Sequence, residues 1–159
     1  MARRRVAPVP GPTATAITVE GGLTISAVFE AYEQRGGIDY RPRFAITFTT
    51  DDQRATFPFW GSADRGDMWR IDDHDCARAV LTGHGLMLAA DSIISDALYG
   101  EMDQEEYADS LSFDLWDEET GESHRACQET GVNLAGLGIG GDDLYRLSDL
   151  FRARARAEA

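Results

Sequence analysis

The side chains of this 159-residue chain that could hold a metal, attack a carbonyl or move a proton are three histidines, two cysteines and 28 carboxylates. His74 and Cys76, in the run Asp72-Asp73-His74-Asp75-Cys76, and His124-x-x-Cys127 together offer four ligands of the zinc type. Neither pair has the C-x-x-C or H-x-x-x-H spacing that sets two ligands on one metal, so the expectation is capping aspartates and core thiols, with no metal. Asp114, Asp117, Glu118, Glu119 and Glu122 suggest calcium, yet Gly121 falls out of the register an EF-hand loop needs. Glycines 136, 138, 140 and 141 are spaced like a phosphate loop. No strand is predicted before them, no P-loop lysine follows, and Asp142-Asp143 would repel phosphate, so the stretch reads as a connector. No G-x-S-x-G is present, and His74, His84 and His124 stand beside no nucleophile motif. No catalytic residue and no cofactor are assigned, and the chain reads as a non-enzyme; a metal-dependent enzyme using His74 and Asp75 is the distant alternative.

What remains is charge. The 15 basic residues are all arginine, and the net charge is −13. Residues 1–63 carry seven arginines against six acids, whereas residues 64–149 carry five against 21. Between Asp91 and Glu129 there are 13 acids and one arginine, Arg125. Such a surface repels nucleic acid and anionic membrane and attracts basic proteins or cations. On helices, Asp103, Glu106 and Asp109 share a face, as do Glu118, Glu119 and Glu122. Like charges at that spacing cost about 0.2–0.5 kcal/mol per pair, so a fold that keeps them has a use for them or needs them for solubility. A rigid row of carboxylates imitates the phosphates that a nucleic-acid-binding protein expects. Trp60, Trp69 and Trp116 are candidate interface anchors, with core packing as the alternative.

The elements that must carry these groups follow from periodicity. Residues 1–16, MARRRVAPVPGPTATA, hold four of the five prolines and read as a flexible arm, leaving 17–159 as a single domain. Leu23, Ile25, Ala27 and Phe29 alternate with Thr24, Ser26 and Glu30, which predicts a strand; a helix through Ile25, Val28, Phe29 and Tyr32 also fits. Gly36-Gly37 supplies a turn. Phe44, Ile46 and Phe48 alternate with Ala45, Thr47 and Thr49, and after Thr50-Asp51-Asp52-Gln53 the tract Thr56-Phe57-Pro58-Phe59-Trp60 resumes with Phe57 and Phe59 inward. That is a hairpin, with Pro58 placing its second strand at an edge or a bulge and Gly61-Ser62 ending it.

Beyond Gly66 the period becomes helical. Asp72 or Asp73 caps a helix carrying Val80 and Leu81 that stops at Gly83 or Gly85. Leu86, Ala90, Ile93 and Ala97 mark a second helix running to Gly100. Asp103 with Glu106 caps a third bearing Tyr107 and Leu111. A fourth is expected through Ser123–Thr130, a loop over Gly131–Gly141, and a last helix from Asp142 and Asp143 with Leu144, Leu147 and Phe151 on one side. Strands first and helices after, without βαβ alternation, predict an α+β fold. The expectation is a small antiparallel sheet of about three strands, followed by and packed with four to five helices. Folding should hide about 69% of the chain's unfolded surface, enough for a real core. No stretch approaches the roughly 18 apolar residues of a membrane span. No apolar segment follows Arg3-Arg4-Arg5, so a soluble, cytoplasmic protein without a secretory signal is expected, with Cys76 and Cys127 as free thiols.

The order of features resembles a family of small phage-encoded acidic proteins of unassigned function. Their pattern is a strand hairpin ending in an aromatic Gly-Ser tract, followed by an acidic helical half. The matching pieces here are Phe57-Pro58-Phe59-Trp60-Gly61-Ser62, Asp75 to Leu81, Glu105-Glu106-Tyr107-Ala108, Ser123-His124-Arg125-Ala126-Cys127-Gln128 and Leu144 to Phe151, spread over residues 23–151. The chain departs in its glycine-rich stretch at 131–141 and in a middle helix more acidic than the family's pattern. The family has no assigned catalytic residues to carry over. The resemblance implies a phage or prophage setting, in the host bacterial cytoplasm, where small acidic proteins inhibit nucleic-acid enzymes or defence systems such as CRISPR or restriction complexes.

The expected partner is therefore a basic nucleic-acid-binding protein, engaged through Asp103, Glu105, Glu106, Asp109, Asp114, Trp116, Asp117, Glu118, Glu119 and Glu122, with neither nucleic acid nor membrane bound directly. The alternative is an assembly module that self-associates, as a homodimer through the edge strand around Phe57–Trp60, with the acidity serving solubility.

Overall fold

Alternation of large apolar with small polar residues builds the first half of the chain into a sheet. The computed structural model describes residues 14–34, 40–51, 53–60, 82–111 and 117–158. Four strands, β1 (Ala14–Thr18), β2 (Leu23–Gln34), β3 (Tyr40–Thr50) and β4 (Gln53–Trp60), form an antiparallel meander in the order β1-β2-β3-β4. The register pairs Ile25 with Phe48, Ala27 with Ile46 and Phe29 with Phe44, so these side chains line one face. Ile46 opposite Phe57 and Phe44 opposite Phe59 extend that face onto β4. The helical alternative for the stretch from Leu23 therefore fails, since only the strand's period of two sends Leu23, Ile25 and Ala27 together into the core. The outer face carries Ala16, Thr18, Thr24, Ser26, Ala45, Thr47 and Thr56, with hydroxyl pairs across strands at Thr18–Thr24 (3.3 Å) and Thr47–Thr56 (2.9 Å).

The turns have identifiable causes. Between β1 and β2 a single 3₁₀ turn at Glu20–Gly22 reverses the chain, with Gly21 and Gly22 at φ 71° and 76°, a region that glycine enters without steric cost. The Val19 amide donates to the Leu23 carbonyl at 2.7 Å to close this turn. Thr50 pairs with Gln53 to close the β3–β4 hairpin, and Asp51 takes φ 49° as a tight hairpin turn demands. Glu30 is the extra residue of a β-bulge between Phe29 and Ala31, and its carboxylate pairs with Arg43 at 3.2 Å. β4 lies at the sheet's edge, where Pro58 removes no ladder bond from a second neighbour.

The sheet differs from the expected one at its start. It has four strands rather than about three, because Ala14, Thr15 and Ala16, placed in the flexible arm, pair with Val28, Ala27 and Ser26. Small residues of weak strand preference are held there by β2's ladder.

Among the described residues four helices follow: α1 (Gly83–Gly100), α2 (Gln104–Ser110), α3 (Glu118–Ala135) and α4 (Asp142–Glu158). Leu86, Met87, Ala89, Ala90, Ile93, Ile94 and Ala97 turn α1 toward the sheet and its neighbours. Leu144, Leu147, Phe151 and Ala155 do the same for α4. Phe48 joins the layers, meeting Phe57 edge-on at 5.6 Å between ring centroids and Phe151 at 6.2 Å. The antiparallel α1–α4 pair is bolted by polar contacts. Ser148, itself buried, bonds Asp91 at 2.5 Å and accepts from Arg152 at 2.6 Å, while His84 Nδ1 lies 2.8 Å from the Ala155 carbonyl.

Three helix boundaries depart from expectation. Gly83 and Gly85 do not end a helix; they form the first turn of α1, where Thr82 is the N-cap and its hydroxyl accepts from the Gly85 amide at 3.4 Å. The fourth helix is longer than Ser123–Thr130 and takes in Gly131–Ala135, so the connector shrinks to Gly136–Gly141. Helical hydrogen bonding and packing of Gly131 against Ala97 outweigh glycine's poor helix preference. Leu111 caps the C-terminus of α2 and is 38% exposed instead of lining its buried side. The expected helix carrying Val80 and Leu81, its capping Asp72 or Asp73, and the Gly36-Gly37 and Gly61-Ser62 turns lie outside the described residues. Among the described residues no helix is long and apolar enough to cross a membrane.

Candidate functional site

The acidic residues singled out from the sequence fall on two consecutive short stretches, α2 and the start of α3. Asp103 is the N-cap of α2, accepting from the Glu106 amide at 2.8 Å, and Asp117 is the N-cap of α3, accepting from the Thr120 amide at 2.7 Å. That amide holds the Asp117 carboxyl below the usual carboxylate range. Glu105 and Glu106, and Glu118 and Glu119, occupy the first turns, where the positive end of the helix dipole favours them. Asp103, Glu105, Glu106, Asp109, Asp117, Glu118, Glu119 and Glu122 are all exposed. Asp114 and Trp116 lie outside the described residues, as does Trp69.

One anchor sets α2 against α3. The Tyr107 ring is buried and stacks on His124 with centroids 4.6 Å apart and planes at 22°, and its hydroxyl bonds Ser123 at 2.5 Å. His124, 3% exposed, donates from Nε2 to the Met102 carbonyl at 2.8 Å, because a carbonyl can only accept. The histidine thus fastens the α1–α2 link to α3. Cys127, one turn further on, is a buried free thiol. Burial pushes its pKa upward, as does the nearby Asp96 carboxylate, which disfavours the thiolate form. Tyr107 is raised for the same first reason, burial. The Asp96 residue keeps solvent access, but the protein around its carboxyl pushes it up to about 6 through desolvation.

α1 approaches this seam closely. A Cβ on Gly100 would stand 2.5 Å from the Cys127 carbonyl oxygen, so only glycine lets the two backbones meet there. The crossing holds the C-terminal end of α1, and with it Tyr99 and Glu101, beside α2. Tyr99 meets Tyr107 edge-on at 6.2 Å. A cavity of about 470 Å³ opens at this point, lined by Ser95, Leu98, Tyr99, Glu101, Met102, Glu106 and Tyr145. Of these only Glu106 belongs to the acidic set read from the sequence. The others are brought together by the packing of α1, α2 and α4, and exposed tyrosines beside an acidic run were the only trace of them in the chain.

His124 and Cys127 are engaged as above, His74 and Cys76 lie outside the described residues, and among the described residues no group of three or more His, Cys, Asp or Glu side chains is placed to hold a metal ion. Gly121 is buried inside α3, so Glu118, Glu119 and Glu122 belong to a helix and not to a calcium loop. Comparison of the chain with family models, curated proteins and solved structures finds no match.

Proposed function

We propose that this chain is a non-enzymatic inhibitor of the phage type, which binds a basic nucleic-acid-binding host protein or defence complex, such as a CRISPR or restriction complex, through its acidic surface. The observation that carries this reading is the exposure of eight carboxylates on α2 and the first turns of α3, in a stretch without arginine from Glu101 to His124. The two segments are held by the Tyr107–His124 stack, which presents the charges from a fixed frame. A fixed row of carboxylates occupies the same basic groove as nucleic-acid phosphates and excludes them.

The test is capture from bacterial lysate at low salt, followed by a salt gradient and competition with DNA. A nucleic-acid-binding complex is expected to elute with salt, to be displaced by DNA, and to be lost with a variant reversed at Glu105, Glu106, Glu118 and Glu119. The loss should be on the order of tenfold or more, with an unchanged circular dichroism spectrum. Retention by the reversed variant removes the inhibitor reading. The second reading, self-association through the sheet, is favoured by the position of β4 at the end of the strand order among the described residues. It requires a concentration-dependent dimer in sedimentation that persists in the charge-reversed variant.

A further inference from the structure

We propose that the cavity at the C-terminal end of α1 is an arginine socket, receiving one guanidinium from a basic polypeptide; the inference rests on the partner-binding reading above and names its point of recognition. Its volume of about 470 Å³ falls within the ~300–1,000 Å³ of small-ligand clefts. Three features of the lining select a cation. Glu101 and Glu106 place two carboxylates in it, and among the described residues neither meets an arginine. α1 ends here with no basic residue in its last turn, so the negative end of its dipole has no cation of its own. Tyr99 and Tyr145, 38% and 61% exposed, line it, and the π-face of a tyrosine ring attracts a positive charge.

A further feature selects arginine over lysine. A planar guanidinium stacks on tyrosine while its fork meets a carboxylate edge-on, whereas an ammonium does one or the other. Leu98 and Met102 supply the apolar wall against which an arginine's methylene stem packs. A phosphate or nucleotide is repelled by the same two glutamates.

The test uses the full chain and two labelled peptides, (Gly-Arg)₃ and (Gly-Lys)₃, followed by fluorescence anisotropy at physiological salt. The arginine peptide is expected to bind several-fold more tightly. Tyr145→Ala should weaken it about threefold while Tyr145→Phe, which keeps the ring, leaves it unchanged. Tyr145 is largely in solvent, so neither change threatens the fold. Glu101→Gln should weaken binding at least as much as Tyr145→Ala. Equal affinity for the two peptides, or no response to Tyr145→Ala, overturns the socket. Reversal of Glu105, Glu118 and Glu119, none of which lines the cavity, separates the two ideas. Loss there with an indifferent Tyr145 leaves the acidic surface and removes the socket. Loss at Tyr145 with indifferent reversals leaves the socket and removes the wider surface.

Discussion

The sheet and the helical layer share one core and present opposite surfaces. From Ala14 to Trp60 the chain has six acids and four arginines, and the sheet's outer face carries threonine, serine and alanine together with Val28, Arg54 and Pro58. From Thr82 to Glu158 there are 17 acids against five arginines. The net charge is therefore −2 over the sheet half and −12 over the helical half. Its concentration on α2 and the start of α3, where like charges repel, is the reason for reading that side as the working surface. The sheet side is a platform: hydroxyl pairs, a bulge closed by Glu30 and Arg43, and an edge strand blunted by Pro58.

If the two halves are one cooperative unit, the residue that joins them should break both. Phe48 is fully buried between Phe57 and Phe151, so Phe48→Ala should cost about 3–5 kcal/mol. In urea unfolding followed by hydrogen exchange, amides of β3 and α4 should lose protection together; separate transitions would mean that the layers fold independently. Next in size, Gly100→Ala drives a methyl into the backbone of α3 and should cost about 1–3 kcal/mol. Peptide binding at the α1–α2 cavity should suffer with it. Gly131→Ala should act in the opposite direction. Its Cβ would meet Ala97 at 3.7 Å, an ordinary contact, so the gain in helix preference should stabilise by about 0.5–1 kcal/mol. Thermal unfolding of the two variants side by side checks the pair, and two changes of the same sign would refute the close crossing.

A further effect concerns pH and belongs to the helical layer alone. Asp96 is raised from its ordinary 3.8 to about 6, so the folded state binds its proton more tightly than the unfolded chain does. Its contribution is therefore fully present below about pH 4 and is lost as pH rises through 6. Asp96→Asn, which stays neutral throughout, should gain stability relative to the parent between pH 4.5 and 7.5 when urea midpoints are compared. A constant difference across that range would place the carboxyl in ordinary solvent.

Much of this was legible along the chain. The alternation from Leu23 and from Phe44, the Thr50–Gln53 turn, the apolar stripe of α1, the Asp103 cap and the Leu144, Leu147, Phe151 face are local periodicities, and each element formed where its period placed it. The misplacements share one cause. Ala14–Ala16, Gly83, Gly85 and Gly131–Ala135 have weak local preferences, and their state was decided by partners far along the chain: β2 for the first, the rest of α1 for the glycines, Ala97 for α3. The candidate site divides the same way. The carboxylates were visible as charge and spacing, since exposure of a charged side chain follows from its own hydration cost. The cavity was not visible, because Tyr99 and Tyr145 lie on different helices and meet only where those helices pack.

By itself, then, the sequence determined most of the strands and helices, which side of each is apolar, and that the helical half carries the net negative charge. These depend on side-chain chemistry within a few residues. Only the tertiary structure decided that the sheet gains a fourth strand, that α1 and α3 touch at Gly100, and that two tyrosines and two glutamates enclose one space. Those outcomes depend on packing between segments distant along the chain, which here leaves an open cleft between helices, and no local pattern encodes which surfaces will meet.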